Sequence, residues 1–247
     1  MKILLLDIES APNLVHVWGL WQQNVGLPQI LASGYVLCWA AKWLGEDEIL
    51  FSSEYHDGKK KMLKQIHELL DEADAVIHYN GTKFDIPTLN KEFLLEKMTP
   101  PSPFKQIDLL KTARNQFKFP SNKLDYISQS LGLGKKVKHI GHELWIKCMD
   151  FDPIAWEQMR EYNIQDVVLL EKIYNKLLPW IKNHPNRGIY NNKECCPSCG
   201  SGLFQKRGIA VTKTLKYQRY QCKECGHWFR SVTAEKRDKQ IERYTNI

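Results

Sequence analysis

Four acidic residues in this 247-residue chain stand where carboxylates could share a divalent cation. Asp7 and Glu9 lie two apart at the end of the apolar run ILLL, so in a strand their side chains project to one face. Two carboxylates aimed together from a buried strand repel each other unless a cation lies between them. Mg²⁺ suits that place, because it takes a few carboxylate oxygens and keeps positions for water and phosphate. Asp85 ends AVIHYNGTKFD, an apolar run that passes through a glycine-containing turn into a helix, with Asn80 and Phe84 just before it. Asp166 sits inside REYNIQDVVLLEKIY, where Tyr162 is four residues earlier on the same helical face, so phenol and carboxylate converge. Together these side chains suit metal-dependent cleavage of a phosphodiester. Taken singly, each has a plainer reading as a solvated acidic turn, a helix cap or a surface acid.

The elements that must position them follow from apolar periodicity. Strands are expected over 2–8, 35–43, 48–53, 75–79 and near 104–108, and helices over 59–72, 86–97, near 122–131 and from about 153 to 178. Residues 10–33 read as irregular and 132–142 as a loop rich in Gly, Lys and His. Asp152 before Pro153 is a good cap for the last helix, since proline has no N–H to leave unpaired in a first turn. Three successive strands followed by alternating helix and strand give an α/β fold, a mixed sheet with helices packed on it, of ribonuclease H type. Little periodicity remains in the Asn- and Pro-rich stretch after Pro179, so the expected layout is a catalytic domain at 1–182, a linker at 183–194 and a small domain at 195–247.

The combination D-I-E on the first strand, N-x-x-x-F-D after a middle strand and Y-x-x-x-D on a late helix resembles the three exonuclease motifs of the DEDD superfamily. The tyrosine places the resemblance in the DEDDy subgroup, with the proofreading domains of family A and B DNA polymerases. It covers residues 1–180, roughly, and SNKLDYISQSLGL is similar to the helix before the third motif. What it implies is 3′-to-5′ exonucleolysis releasing nucleoside monophosphates, with two Mg²⁺ or Mn²⁺ ions held by Asp7, Glu9, Asp85 and Asp166. Tyr162 would orient the attacking water, and Asn80 would contact nucleic acid. A free tyrosine titrates near 10, so orientation suits it better than general base. Asp108 and Asp125 are weaker candidates, better explained by capping or surface placement. Lys135, Lys136, Lys138 and His139 could touch a phosphate, although a lysine-rich loop is usually only solvated. Trp18 and Trp21 could stack on a terminal base, with core or loop packing expected for at least one of them.

A second constellation lies near the C-terminus. Cys196-Pro-Ser-Cys199-Gly and Cys222-Lys-Glu-Cys225-Gly are paired knuckles separated by 22 residues, which read as one structural Zn²⁺ site. Cys195 is adjacent but falls outside the Cys-Pro-x-Cys-Gly pattern, and Cys38 and Cys148 read as small buried hydrophobes. The intervening GLFQKRGIAVTKTLKYQRYQ should form a hairpin, and the module resembles the zinc ribbons appended to some transposases. Its exposed side is expected to combine Lys206, Arg207, Lys213, Lys216, Arg219 and Arg230 with Tyr217, Tyr220, Trp228 and Phe229. Cations interleaved with aromatics fit phosphate contact plus base stacking, and about half of the aromatics should instead fill the core around the metal.

Charge divides along the same line. Residues 1–186 carry 22 Lys and Arg against 23 Asp and Glu, whereas residues 187–247 carry 13 against 5. This asymmetry assigns much of the grip on nucleic acid to the ribbon and its basic tail. The start MKILLLDIES is too short and too acidic for a secretory signal, and no run approaches the roughly 20 apolar residues that span a bilayer. A cytoplasmic protein without a membrane partner is therefore expected. Three functions stay open: an exonuclease preferring single-stranded DNA or trimming RNA, a nucleic-acid-binding module with an inactive nuclease fold, and a trimming subunit of a polymerase or recombination complex.

Overall fold

The structure, a computed structural model, describes residues 1–190 and 193–234. The basic tail beyond them and two residues of the expected linker lie outside the described residues. The chain divides into two compact units, one formed by Lys2–Asn175 and the other by Lys176–Ile247 with Met1.

The first unit is built on strands β1 (Ile3–Ser10), β4 (Val36–Trp43), β5 (Leu50–Ser53), β6 (Ala75–His78) and β7 (Lys105–Asp108), in the order β5-β4-β1-β6-β7. A short hairpin, β2 (Leu14–Val15) with β3 (Ile30–Ala32), interrupts the run between β1 and β4. Helices α1 (Glu54–Asp57) and α2 (Lys59–Glu72) precede β6. Then come α3 (Asp85–Leu95), α4 (Leu109–Gln116), α5 (Leu124–Ser130), α6 (Glu143–Met149) and α7 (Pro153–Leu177). Strand β1 is central, antiparallel to β4 and parallel to β6, while β6 is parallel to β7. The mixed sheet arises because the first three long strands turn back on each other, whereas β6 and β7 are reached through helices.

Alternation along β1 decides the site. Leu4, Leu6 and Ile8 enter a core with Met62, Leu63 and Ile66 of α2 and Ile86, Leu89 and Phe93 of α3. The intervening Asp7 and Glu9 face the other way. A second core gathers Leu37 and Cys38 of β4, Leu144 and Cys148 of α6, and Trp156, Met159 and Tyr162 of α7. Leu4, Leu5 and Leu6 are fully buried, and each contributes about 2 kcal/mol. That burial holds the strand in place against the repulsion of the acids at its end. Asp152 caps α7 as its sequence predicts, its Oδ1 accepting from Ile154 N at 2.8 Å and Ala155 N at 3.2 Å.

Three features depart from the expectations. Helices α1, α4 and α6 have no counterpart among the expected elements, because runs of four to eight residues carry a weak periodic signal, although the equally short α5 was expected. The 10–33 stretch contains the β2–β3 hairpin, with His16 N donating to Gln29 O at 2.9 Å. Neither tryptophan in it packs: Trp18 is 101% exposed and Trp21 85%. A hairpin with strands this short satisfies its backbone but has no apolar layer of its own on which a ring could be buried. Among the described residues no helix is long and apolar enough to cross a membrane.

The second unit is dominated by β8 (Phe204–Val211), β9 (Lys216–Cys222) and β10 (Trp228–Arg230), an antiparallel sheet in the order β10-β9-β8. The expected hairpin is β8–β9. Its register shifts between Lys206 and Ile209, where Gly208 takes a φ of +76° that favours glycine.

Candidate active site and cysteine cluster

Asp7 and Glu9 from β1 and Asp166 from α7 bring carboxylate oxygens within 4.8 Å of one another. Each is held by a neighbour of complementary charge or polarity. Asn163, fully buried on α7 three residues before Asp166, donates from Nδ2 to Asp7 Oδ2 at 2.7 Å. Trp145 of α6 donates from Nε1 to Glu9 Oε2 at 3.1 Å. Lys136, from the loop before α6, donates from Nζ to Tyr162 Oη at 2.8 Å and is ion-paired with Asp166. The same ammonium lies 4.9 Å from the Tyr162 ring centroid, and His139 meets that ring edge-on at 4.9 Å.

Asp85 stands beside this group but outside it. It is the first residue of α3, and its Oδ1 accepts from Ile8 N at 3.2 Å, which ties helix to strand between the two acids of β1. The turn that delivers it is tightly specified. Asn80 adopts a φ of +70°, which asparagine tolerates better than most residues, and its N–H donates to Asp108 Oδ1 at 3.0 Å. Gly81 donates to His78 Nδ1 at 3.0 Å, and a Cβ there would lie 2.4 Å from the imidazole. Asp108 is also the cap of α4, accepting from Leu110 N at 3.0 Å, as the capping alternative predicts.

Burial and mutual repulsion push every acid of the cluster upward. Asp7 is raised well above the usual carboxylate range, first by burial and then by the charges of Asp166, Glu9 and Asp85. Burial, followed by the Asp166 charge, lifts Glu9 to about 8. Asp85 rises to about 7, chiefly by burial. Asp166 is raised by burial against the opposing pull of Lys136. Tyr162 is pushed above its ordinary value by burial and by the Asp166 and Glu9 charges, so it is a protonated donor. Burial opposes the charge on Lys136, but Asp166 and Tyr162 outweigh it and the ammonium persists.

One monovalent ammonium beside three crowded carboxylates leaves the group short of positive charge. Asp166 Oδ1 is buried without a hydrogen-bond partner. A dense set of oxygen donors with an orphaned acceptor fits a hard divalent cation.

Sequence reasoning placed Lys136 among solvated loop lysines, and the structure corrects this. Lys135 and Lys138 are exposed as expected, whereas Lys136 is drawn into the acid cluster by a charge it could not see in its own segment. Asn163 and Trp145 were missed. Asn163 could have been flagged by its position between Tyr162 and Asp166 on one helix, but Trp145 offered no local signal.

In the second unit Cys196, Cys199, Cys222 and Cys225 gather their sulfurs within 4.8 Å, and Cys195 is outside the group. Sulfurs approach to 3.7 Å between Cys196 and Cys225 and to 3.6 Å between Cys199 and Cys222. Four thiols at this spacing fit a tetrahedral soft-ligand site of the kind zinc occupies.

The sheet beside them sorts the aromatic and basic residues by face, which separates what the sequence had combined. Phe204, Tyr220 and Phe229 pack on one another with centroids 5.4–5.5 Å apart. On the other face Arg207 and Arg219 lie 5.8 and 5.2 Å from the Trp228 ring, and Arg230 lies 3.8 Å from that of Tyr217. Lys206 lies opposite Tyr220, and Lys216 shares the parity of Tyr220 along β9, so strand alternation sends both away from the arginine face.

Comparison with known proteins agrees with the architecture. A family model described as RNase_H superfamily matches residues 42–178, a span that holds Asp85, Lys136, Tyr162 and Asp166 but begins after Asp7 and Glu9. Among solved structures, the family B DNA polymerase from the hyperthermophilic archaeon Pyrobaculum calidifontis is similar in fold, with a TM-score of 0.55 and 18% identity. The match covers 72% of this chain and 24% of that polymerase. No curated protein matches the chain. The family match spans more than half of the sequence, and the central strand, mixed sheet and flanking helices are those of the same fold: the chain belongs to the RNase_H superfamily.

Proposed function

We propose that the protein is a metal-dependent 3′-to-5′ exonuclease acting on nucleic acid, single-stranded DNA by preference. The observation that carries this reading is the convergence of Asp7, Glu9 and Asp166 from two separate elements, with Tyr162 one helical turn from Asp166. The nuclease part would occupy residues 1–182 and the linker 183–194. Residues 195–247 would form a zinc ribbon that assists nucleic-acid binding.

Asp7, Glu9 and Asp166 would hold two Mg²⁺ or Mn²⁺ ions, with Asp85 completing the set from the start of α3. When bound, the ions supply activation of water and charge stabilisation at the attacking and leaving oxygens of the phosphodiester. The chain's own residues do the positioning. Trp145 and Asn163 fix the carboxylates of Glu9 and Asp7, so little reorganisation is needed when the substrate arrives. Tyr162, kept protonated by its surroundings, donates a hydrogen bond that orients the attacking water. Lys136 holds the phenol and Asp166 together.

The test is incubation of the full chain with end-labelled single-stranded DNA, duplex DNA and RNA in Mg²⁺, Mn²⁺ or EDTA. The expected result is a metal-dependent ladder growing from the 3′ end. Asp7→Ala and Asp166→Ala should each lower the rate by at least roughly 10²–10³-fold, the scale of losing a preorganised charge-stabilising group. Undiminished cleavage by both variants would refute the assignment, and cleavage from the 5′ end would refute the polarity.

A further inference from the structure

The near neutrality of residues 1–186 conceals a local basic strip. Between 105 and 123 the chain carries Lys105, Lys111, Arg114, Lys118 and Lys123 against a single acid, Asp108. That acid is engaged by the N–H groups of Asn80 and Leu110. The strip comprises β7, α4 and the segment leading into α5, and it borders a cavity of about 570 Å³.

The cavity is lined by both acids and bases. Asp7, Asp125 and Asp166 supply its carboxylates, Asp125 being engaged by Gln129 Nε2 and Lys136 N, and Arg114, Lys123 and Lys136 supply its cations. The Arg114 and Lys123 side chains are exposed, and neither makes a hydrogen bond or ion pair with another described residue. Between them Tyr79 donates from its hydroxyl to Asn122 O at 2.5 Å, which fixes the segment before Lys123 against the end of β6. The side-chain Oδ1 of Asn122, also in the lining, is buried without a partner.

We propose that this cavity is a nucleotide subsite in which Arg114 and Lys123 hold the phosphate next to the one presented to the acids. The assignment rests on the proposed nuclease reading for which phosphate lies at the acids. The volume is that of a small-molecule pocket and is sufficient for one unpaired nucleotide. Arg114 and Lys123, whose side chains are engaged by no other described residue, can draw a phosphate to themselves and leave the carboxylates and the metals they would hold for the reacting group. The nuclease unit thereby carries a grip of its own, independent of the ribbon. In a 3′-to-5′ reaction the terminal nucleotide has only the scissile phosphate, so Arg114 and Lys123 serve the upstream neighbour. A substrate with one phosphodiester does not use them.

The experiment measures binding and turnover of the full chain. In EDTA, fluorescence anisotropy with a 5′-labelled single-stranded 12-mer should show roughly tenfold weaker binding for the Arg114→Ala/Lys123→Ala double variant. The salt slope should fall by about 0.7 for each phosphate that the variant no longer neutralises. With Mg²⁺ or Mn²⁺ the same variant should raise KM for the 12-mer with kcat little changed. Its turnover of the p-nitrophenyl ester of thymidine 5′-monophosphate, which has one phosphodiester, should equal that of the wild type.

Lys105→Ala/Lys118→Ala, on the same strip but outside the cavity, should bind the 12-mer as the wild type does. An equal loss in this control would overturn the subsite in favour of diffuse attraction, and wild-type binding by Arg114→Ala/Lys123→Ala would overturn it outright. If the wild type cleaves neither substrate while the binding differences hold, the subsite stands and the nuclease reading falls.

Discussion

The acid cluster and the cysteine cluster are both groups of would-be anions, the first brought together by a strand and a helix and the second by two turns, and they are held in different ways. Around Asp7, Glu9 and Asp166 the protein supplies an amide, an indole and an ammonium, and two apolar cores fix the strand and helix that carry them. Around the four cysteines it supplies the thiols themselves and a small aromatic group of Phe204, Tyr220 and Phe229. The first arrangement is a consequence of folding. With zinc bound as proposed, the second would be closer to a cause of it, because structural zinc sites contribute about 10–16 kcal/mol of apparent binding free energy.

The largest expected effect tests that contrast. Cys222→Ser should abolish protection of the β8–β10 amides in hydrogen exchange on the full chain, while protection of β1, β4 and β6 stays at the wild-type level. Asp166→Asn should leave both regions protected. Persistent protection of β9 in Cys222→Ser would mean that the sheet folds without its metal site, and the comparison would break.

A second effect follows from the raised carboxylates. Glu9 titrates near 4.5 when free and at about 8 when folded, so between those values the native state binds more protons than the unfolded chain. Stability of the metal-free protein therefore falls as pH rises through this window, and Asp85, lifted to about 7, contributes in the same direction. Thermal unfolding in EDTA should show the first unit melting several degrees lower at pH 8 than at pH 5, at roughly 2–4 °C per kcal/mol for a unit of this size. Glu9→Gln should flatten the dependence, and saturating Mg²⁺ should oppose it by favouring the ionised form. A melting temperature that is independent of pH in EDTA would show that the cluster is not crowded as the distances imply.

The same contrast explains what was legible in the sequence. The D-I-E strand, the Tyr162–Asp166 turn and the two cysteine knuckles announce themselves because their geometry is local: residues two or four apart, or the two ends of a tight turn. Strands β1 and β4 and helices α2 and α7 are equally plain from periodicity. Lys136, Asn163 and Trp145 are different, since each acts on an acid 30 to 156 residues away through tertiary packing. The basic strip at 105–123 was hidden for another reason, because averaging charge over residues 1–186 cancelled it against distant acids. The exposed Trp18 and Trp21 show the converse: apolar residues in an irregular stretch say nothing about whether a layer exists to bury them.

Tyr162 offers a finer probe of the preorganised site. Tyr162→Phe keeps the ring that Lys136, His139 and Trp145 surround and removes only the hydroxyl. Turnover should fall by roughly 10²-fold, at the lower end for loss of a positioned proton-handling group, with KM nearly constant. A large rise in KM with unchanged kcat would instead make the phenol a substrate contact.

The smallest effect concerns the two faces of the β8–β10 sheet. Guanidinium planes stack on aromatic rings and on nucleobases alike, so Arg207 and Arg219 beside Trp228 form a surface on which a base can replace or extend an existing stack. Trp228 is 46% exposed, unlike the rings that pack around Phe204. Trp228→Ala should therefore weaken binding of a single-stranded oligonucleotide in EDTA by about 1–3 kcal/mol, the contribution of one stacked base. Lys206→Ala/Lys216→Ala, which alters the opposite face, should lower the salt dependence without removing that stacking contribution. If the lysine pair proves the more damaging, the strand runs over the face of the aromatic core, and the arginine face is free for another role. Because neither change touches a cysteine, the metal content of both variants should match that of the wild type, which separates damage to a binding surface from damage to the fold.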